Sequence, residues 1–217
     1  MGLLASTVVV GAVRWVAVPD EESFVVRSGQ EFVLGGEPFR FVGFNLYDAA
    51  ATSGYSCRPA TMMSDAQLVQ ALSWAKEEAG ASVIRFWAYQ SYTRSATDFS
   101  GVDRVVAAAR ENGLKVLPVL DDGPGDCSGV PGRFPKADLD GGKWYETGYR
   151  QVRPPATLSY RDYVAEIVAH YRDDPTILGW SMMNEAETWE RDAQGRSVVV
   201  DFARDVGSVI RVHDPRH

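Results

Sequence analysis

Asn184 and Glu185 follow directly on the apolar run "ILGWSMM", and a second acid, Glu187, stands two positions further on. An amide beside a carboxyl group is a useful pair for acid/base chemistry on a hydroxyl-bearing substrate. The amide hydrogen-bonds a hydroxyl, and the carboxyl gives or takes a proton. A carboxyl group in a partly buried, aromatic-rich pocket holds its proton more readily than in water, as a general acid must. A second reactive run is "VIRFWAY", residues 83–89. Strand alternation sends Arg85, Trp87 and Tyr89 to one side and Phe86 and Ala88 to the other. An arginine facing inward is costly unless acids pair with it, so Arg85 is expected in an internal salt bridge, or holding a catalytic carboxylate in place, or both at once. Asp121 and Asp122 end a third apolar run, and Asn45 and Tyr47 end another.

These residues share one feature: each stands at the C-terminal end of an apolar run. Four such runs occur, at 41–46, 82–89, 114–122 and 176–182, and an amphipathic helical pattern follows each. The first helix opens with Ser64 and Gln67 at capping-box spacing and stops at Gly80. The second buries Val102, Val105, Val106 and Ala109 and stops at Gly113. The third starts at Ser159 with Asp162 placed to cap it and halts before Pro175, and the fourth runs from Ser197 to Val212. Before them, "FVVRSGQEFVLGGEPF" reads as a hairpin with glycine-bearing turns. Continuous apolar strands alternating with helices mean a parallel sheet covered by helices, either doubly wound or a barrel. "FNLYDAA" after the first strand lacks a glycine-rich phosphate loop, which counts against nucleotide-binding doubly wound folds. Polar and aromatic residues at every strand end favour the barrel, whose active site lies at that face. The expected fold is α/β, of the (β/α)8 TIM-barrel type, truncated to about the first four β/α units behind an N-terminal β-hairpin. Residues 1–22 form an N-terminal arm or degenerate signal segment, and 23–217 the partial barrel.

Composition narrows the partners. Twenty-two basic against 29 acidic residues give a net charge of -7, which argues against nucleic acid. The apolar run from Leu3 to Val13 is too short to span a bilayer as a helix and resembles the core of an export signal, so a secreted or extracytoplasmic location is expected. Cys57 and Cys127 show no metal-ligand spacing. Both fall in loops over the same expected barrel mouth, so a disulfide is favoured over two buried thiols. No metal and no cofactor is expected. The segment 121–158 is long and irregular, and Trp144, Tyr145 and Tyr149 within it read as rings for ligand stacking or as loop packing.

"GGEPFRFVGFNLY", "VIRFWAY", "YRDDPTILGW" and "MMNEAE" together resemble family 5 glycoside hydrolases of the clan A barrels, particularly mannanase- and cellulase-like members. The resemblance implies hydrolysis of β-1,4-linked mannan or glucan by a retaining mechanism. It makes Glu185 the general acid/base, Asn184 the contact to the sugar 2-hydroxyl and Arg85 the support of the nucleophile. Trp87, Tyr89, Trp144, Tyr47 and Asn45 are the expected substrate-binding residues. The family's nucleophile is a second Glu at the end of strand seven, which has no counterpart in these 217 residues. Asp121, Asp122 and Glu187 are expected near Glu185, but the resemblance gives none of them the nucleophile's role, and Ala186 stands where many relatives have proline. The rival readings are a sugar-binding remnant without turnover, and a half-barrel that pairs with another chain or self-associates through its open edges.

Overall fold

The computed structural model describes residues 21–52, 62–93, 95–122, 141–154, 156–186 and 188–217. Cys57, Cys127, Glu187 and most of the N-terminal arm lie outside the described residues. The chain opens with a 3-10 turn, Glu21–Ser23, and a small antiparallel sheet of β1 (Val25–Ser28), β2 (Glu31–Leu34) and β3 (Glu37–Pro38). The first hairpin pairs Val25 with Leu34 and Ser28 with Glu31, and Gly29, at φ 63°, makes its turn. The hairpin expected from sequence is there, with β3 as an added third strand.

The larger sheet is parallel, in the order β4 (Gly43–Asn45), β5 (Val83–Trp87), β6 (Lys115–Val119). Residues 177–184 lie beside β6 and form bridges from Ile177, Ser181 and Asn184 to Val116, Val119 and Asp122. Sequence periodicity predicts an unbroken fourth strand there. Pro118 explains the interruption. It has no N–H to donate across the ladder, and pairing resumes out of step: Leu178 N–H donates to Val116 O, but Ser181 N–H donates to Pro118 O. Three residues on one side answer two on the other, which is a bulge. The first run also departs from expectation. Expected as a buried strand over Phe41–Leu46, it is regular for three residues only, and Phe41, Val42 and Phe44 are exposed because β4 is the sheet edge.

The helices follow their sequence signals closely. In α1 (Asp65–Glu77) Ser64 Oγ accepts from Gln67 N–H while Gln67 Oε1 accepts from Ser64 N–H, a complete capping box. In α2 (Ser100–Glu111), Val102, Val105, Val106 and Ala109 are buried, and Gly113 leaves the helix at φ 63°. Gly101 lies so close to the loop after β4 that a Cβ would stand 2.4 Å from Ala50 O. The segment before α4 contains a short helix, α3 (Gly141–Glu146). Ser159 Oγ caps α4 (Tyr160–Tyr171) by accepting from Asp162 N–H, and α5 (Val198–His213) buries Val198, Phe202, Val206, Val209 and Ile210. One core cluster unites the helix-facing side of the sheet with α1, α2, α4 and α5. Each large apolar side chain buried there contributes roughly 1.5–3 kcal/mol.

A polar latch fixes the last helix to the sheet. Asp214, fully buried, accepts from Trp180 Nε1 at 2.9 Å and from the backbone N–H groups of Arg216 and His217, and it lies 2.6 Å from His217 Nδ1. Burial pushes its carboxyl up, but the hydrogen bonds from His217 and Trp180 outweigh that and hold it below the usual carboxylate range.

Candidate active site

Parallel strands end on one face, and their last residues meet there. Asn45 and Arg85 are register partners on β4 and β5. Arg85 Nη1 donates to Asn45 Oδ1 at 3.3 Å, and Nη2 donates to Asn184 Oδ1 at 2.8 Å. Asn184 Nδ2 in turn donates to Asp122 Oδ1 at 3.1 Å. Four chain segments far apart in sequence therefore converge through one guanidinium and one amide. α4 stiffens this face from behind: Tyr163 OH donates to Ala88 O at 2.7 Å and Tyr160 OH donates to Met182 O, anchoring the main chain next to both strand ends.

Arg85 is half-buried and faces away from the helix layer, as alternation predicts, while Ile84 and Phe86 are buried on the helix side. Its partners differ from expectation. Among the described residues it meets amide oxygens and no carboxylate, so no salt bridge of Arg85 forms among them. Asn45 is exposed, and Asn184 and Asp122 are half-buried.

Glu185 follows at φ 47°, and among the described residues it is the one non-glycine with a positive φ. Backbone in that region is strained for any residue with a Cβ, and such strain gathers at functional sites. The side chain is exposed. The partly buried pocket expected around it is not supplied by the described residues.

The aromatic residues divide into two groups. Tyr47 and Trp87 are half-buried beside Arg85, with ring centroids 4.7 Å apart, and Trp87 stacks on Tyr89 at 5.1 Å and 18°. The Trp87 indole N–H is buried and finds no hydrogen-bond partner among the described residues. Tyr89 is 0% exposed, so it supports Trp87 from beneath and offers no face to a ligand. Trp144 is 4% exposed. It packs against Tyr145, Tyr149, Tyr160 and Phe202 in the layer between α3, α4 and α5. Tyr149 belongs to that layer too: burial, then its hydrogen bond to Asp205, pushes its hydroxyl up to about 12. For Trp144 the stacking role is thus corrected to loop packing, because Phe202 and Tyr160 cover the ring. Trp189, which sequence reasoning passed over, is 95% exposed just beyond Glu185. A large ring set among Thr188, Glu190 and Arg191 was its available signal. Among the described residues no three His, Cys, Asp or Glu side chains gather as metal ligands, and no helix is long and apolar enough to cross a membrane.

Comparison with known proteins places this geometry. The chain is 28% identical over 226 residues to a probable mannan endo-1,4-beta-mannosidase C of Aspergillus terreus, covering 89% of this chain and 53% of that protein. It is 29% identical to mannan endo-1,4-beta-mannosidase 1 of Oryza sativa, covering 88% of this chain and 47% of that one. The chain thus spans about half the length of the curated relatives it matches. Among solved structures, an endo-1,4-beta-mannanase from Rhizomucor miehei superposes with a TM-score of 0.60 at 18% identity, over 89% of this chain and 59% of that one. The endo-1,4-beta-D-mannanase from Thermotoga petrophila RKU-1 superposes with a TM-score of 0.61 at 23% identity, over 82% and 54%. Those likenesses identify the parallel sheet and its helices as part of a TIM barrel. The family described as cellulase (glycosyl hydrolase family 5) matches residues 36–217. With that match over most of its length, the chain belongs to glycosyl hydrolase family 5.

Proposed function

We propose that this chain carries the acid/base half of a retaining glycoside hydrolase site for β-1,4-linked polysaccharide, with mannan the favoured substrate. The observation that carries this reading is Arg85. A half-buried guanidinium held by two amide oxygens, with no carboxylate in reach among the described residues, is an incomplete arrangement. Charge taken out of water calls for a counter-charge. A carboxylate arriving there from outside residues 1–217 would be held ionised and oriented, as a nucleophile must be. The mannosidase names of the relatives favour mannan over glucan.

The chemistry then follows for a pair of carboxyl groups about 5–5.5 Å apart. The nucleophile attacks the anomeric carbon while Glu185 gives its proton to the departing glycosidic oxygen, and a covalent glycosyl-enzyme forms. Glu185, now a carboxylate, takes a proton from water, which attacks the same carbon and frees the nucleophile. Tyr47 and Trp87 give a sugar ring an aromatic wall, and Asn184 faces its hydroxyls. The location is read as secreted or extracytoplasmic, with a disulfide between Cys57 and Cys127. The exposed β4 edge, with Phe44 and Trp74 beside a groove of about 520 Å³, is read as self-associating in the isolated chain.

The experiment compares residues 1–217 with a longer version carrying the remaining barrel strands. The longer protein hydrolyses mannan and loses about 10²–10⁴-fold in rate on Glu185→Gln, the range for a general acid/base. Residues 1–217 alone show little hydrolysis. An unchanged rate in Glu185→Gln removes that residue from the mechanism, and robust turnover by residues 1–217 moves the nucleophile to Asp121, Asp122 or Glu187. A second reading, sugar binding without turnover, is favoured by the Tyr47–Trp87 pair, which needs no nucleophile to work. Binding of mannohexaose by the longer protein without any hydrolysis would select it.

A further inference from the structure

A primary amide has two ends of similar shape and opposite hydrogen-bonding sense, and a site that reads hydroxyl groups must fix which end faces them. Asn184 is held at both ends by groups that leave no choice. Arg85 can only donate, so the end 2.8 Å from Nη2 is the oxygen. An ionised carboxylate can only accept, so the end 3.1 Å from Asp122 Oδ1 is the nitrogen. Turning the amide over would set oxygen against carboxylate and N–H against guanidinium, repulsive at both contacts. The main chain is fixed as well. Asn184 N–H donates to Asp121 O at 2.8 Å, Asp122 N–H donates to Asp121 Oδ1 at 2.7 Å, and Asp122 and Asn184 are bridge partners.

We propose that Asp122 is a positioning residue: with Arg85 it clamps the Asn184 amide so that its second Nδ2–H is presented to an accepting hydroxyl of a bound pyranose. This use of the amide rests on the glycoside hydrolase reading above, but the clamp itself does not. The clamp assigns Asp122 the work of an oriented acceptor: it uses the carboxyl oxygen as a hydrogen-bond acceptor, not as a nucleophile. An asparagine at 122 retains an acceptor oxygen in the same place and cannot attack an anomeric carbon. The two roles therefore separate at a single substitution.

The test is side-chain amide NMR on uniformly ¹⁵N-labelled residues 1–217, with Asn184 assigned by its loss in Asn184→Gln. In the unsubstituted protein the Nδ2 proton facing Asp122 exchanges with water about tenfold or more slowly than a free amide, the factor matching a hydrogen bond to a charged acceptor. Asp122→Ala abolishes that protection and narrows the splitting of the two Nδ2 protons, and Asp122→Asn keeps most of both. Absence of protection in the unsubstituted protein overturns the proposal without any variant, which covers the case in which Asp122→Ala fails to fold. Protection that survives Asp122→Ala in a folded chain overturns it too, as does an Asp122→Asn chain that behaves like Asp122→Ala. A second arm titrates mannohexaose. Weaker binding in Asp122→Ala with recovery in Asp122→Asn supports the clamp as a hydroxyl reader. Intact protection with no mannohexaose binding in any form leaves the clamp standing and removes the sugar reading instead.

Discussion

The positive φ of Glu185 yields a prediction that separates stability from function. At φ 47° a side chain with a Cβ crowds its own carbonyl, at a cost of about 1–2 kcal/mol. Glycine relieves that crowding but is freer in the unfolded chain, which returns about 0.5–1 kcal/mol. The exposed carboxylate makes no hydrogen bond or ion pair among the described residues, so removing it sacrifices no contact. The net expectation is that Glu185→Gly stabilises the fold by about 0.5–1 kcal/mol, or about 1–4 °C in melting temperature for a chain of this size. Glu185→Ala keeps the crowding and serves as the control, and it should be less stable than Glu185→Gly by roughly 1 kcal/mol. Urea unfolding of both variants at pH 7 measures the difference. An Ala variant as stable as the Gly variant would mean that the left-handed backbone carries no strain, and that its placement beside Asn184 has no functional implication. In the longer protein of the proposed function, the stabilised Gly variant should be inactive on mannan.

Other perturbations have equally definite signs. Gly101→Ala should cost about 1–3 kcal/mol by urea melt, because its Cβ would meet Ala50 O at 2.4 Å and the backbone there cannot yield without moving the loop that follows β4. Asp214→Ala should cost about 3–5 kcal/mol, since it leaves the half-buried Trp180 indole N–H and the buried His217 ring without their carboxylate partner. The folded Asp214 carboxyl titrates below its unfolded value, so its stabilisation is complete above the ordinary carboxylate range near pH 4 and fades as pH falls through the lower, folded value. Melting temperature measured from pH 6 downward should therefore fall less steeply in Asp214→Asn than in the parent. Trp144→Ala should lower stability by about 3–5 kcal/mol and leave mannohexaose affinity of any folded fraction unchanged, since the ring is a core contact; an affinity loss without a stability loss would restore it to the cleft.

Local signals in the sequence are realised where the contacts they describe are local. The Ser64–Gln67 box, the Ser159 cap and the glycines at 29, 80 and 113 act within a few residues of themselves, and the helices and the hairpin follow them. The convergence of Arg85 with Asn184 was legible because parallel strands must end on one face. Burial of Trp144 was not, because the ring that covers it, Phe202, comes from a helix that sequence periodicity cannot dock. The exposure of β4 and of Glu185 was hidden for the same reason: an apolar run reveals what a residue prefers, not whether a neighbour is present. The interruption beside β6 did have a visible cause. Pro118 within "LKVLPVL" cannot donate, and a proline inside a central strand announces a broken ladder.

The Trp180–Asp214 latch also bears on the order of folding. It joins residues 34 positions apart, and it closes a strand onto the helix that follows it. The clamp at the strand ends closes longer loops: 62 positions for Asn184 to Asp122 and 99 for Arg85 to Asn184, with only the Arg85–Asn45 contact, at 40, comparable to the latch. Loop closure grows costlier with length, and long-range contacts slow folding. Each strand–helix unit should therefore close upon itself first, and the cleft should assemble last, from units already formed. Substitutions in the latch would then slow refolding, whereas substitutions of Arg85, Asp122 or Asn184 would chiefly hasten unfolding. The residues that would handle substrate contribute little to reaching the fold, which leaves them free to change without closing the path to it.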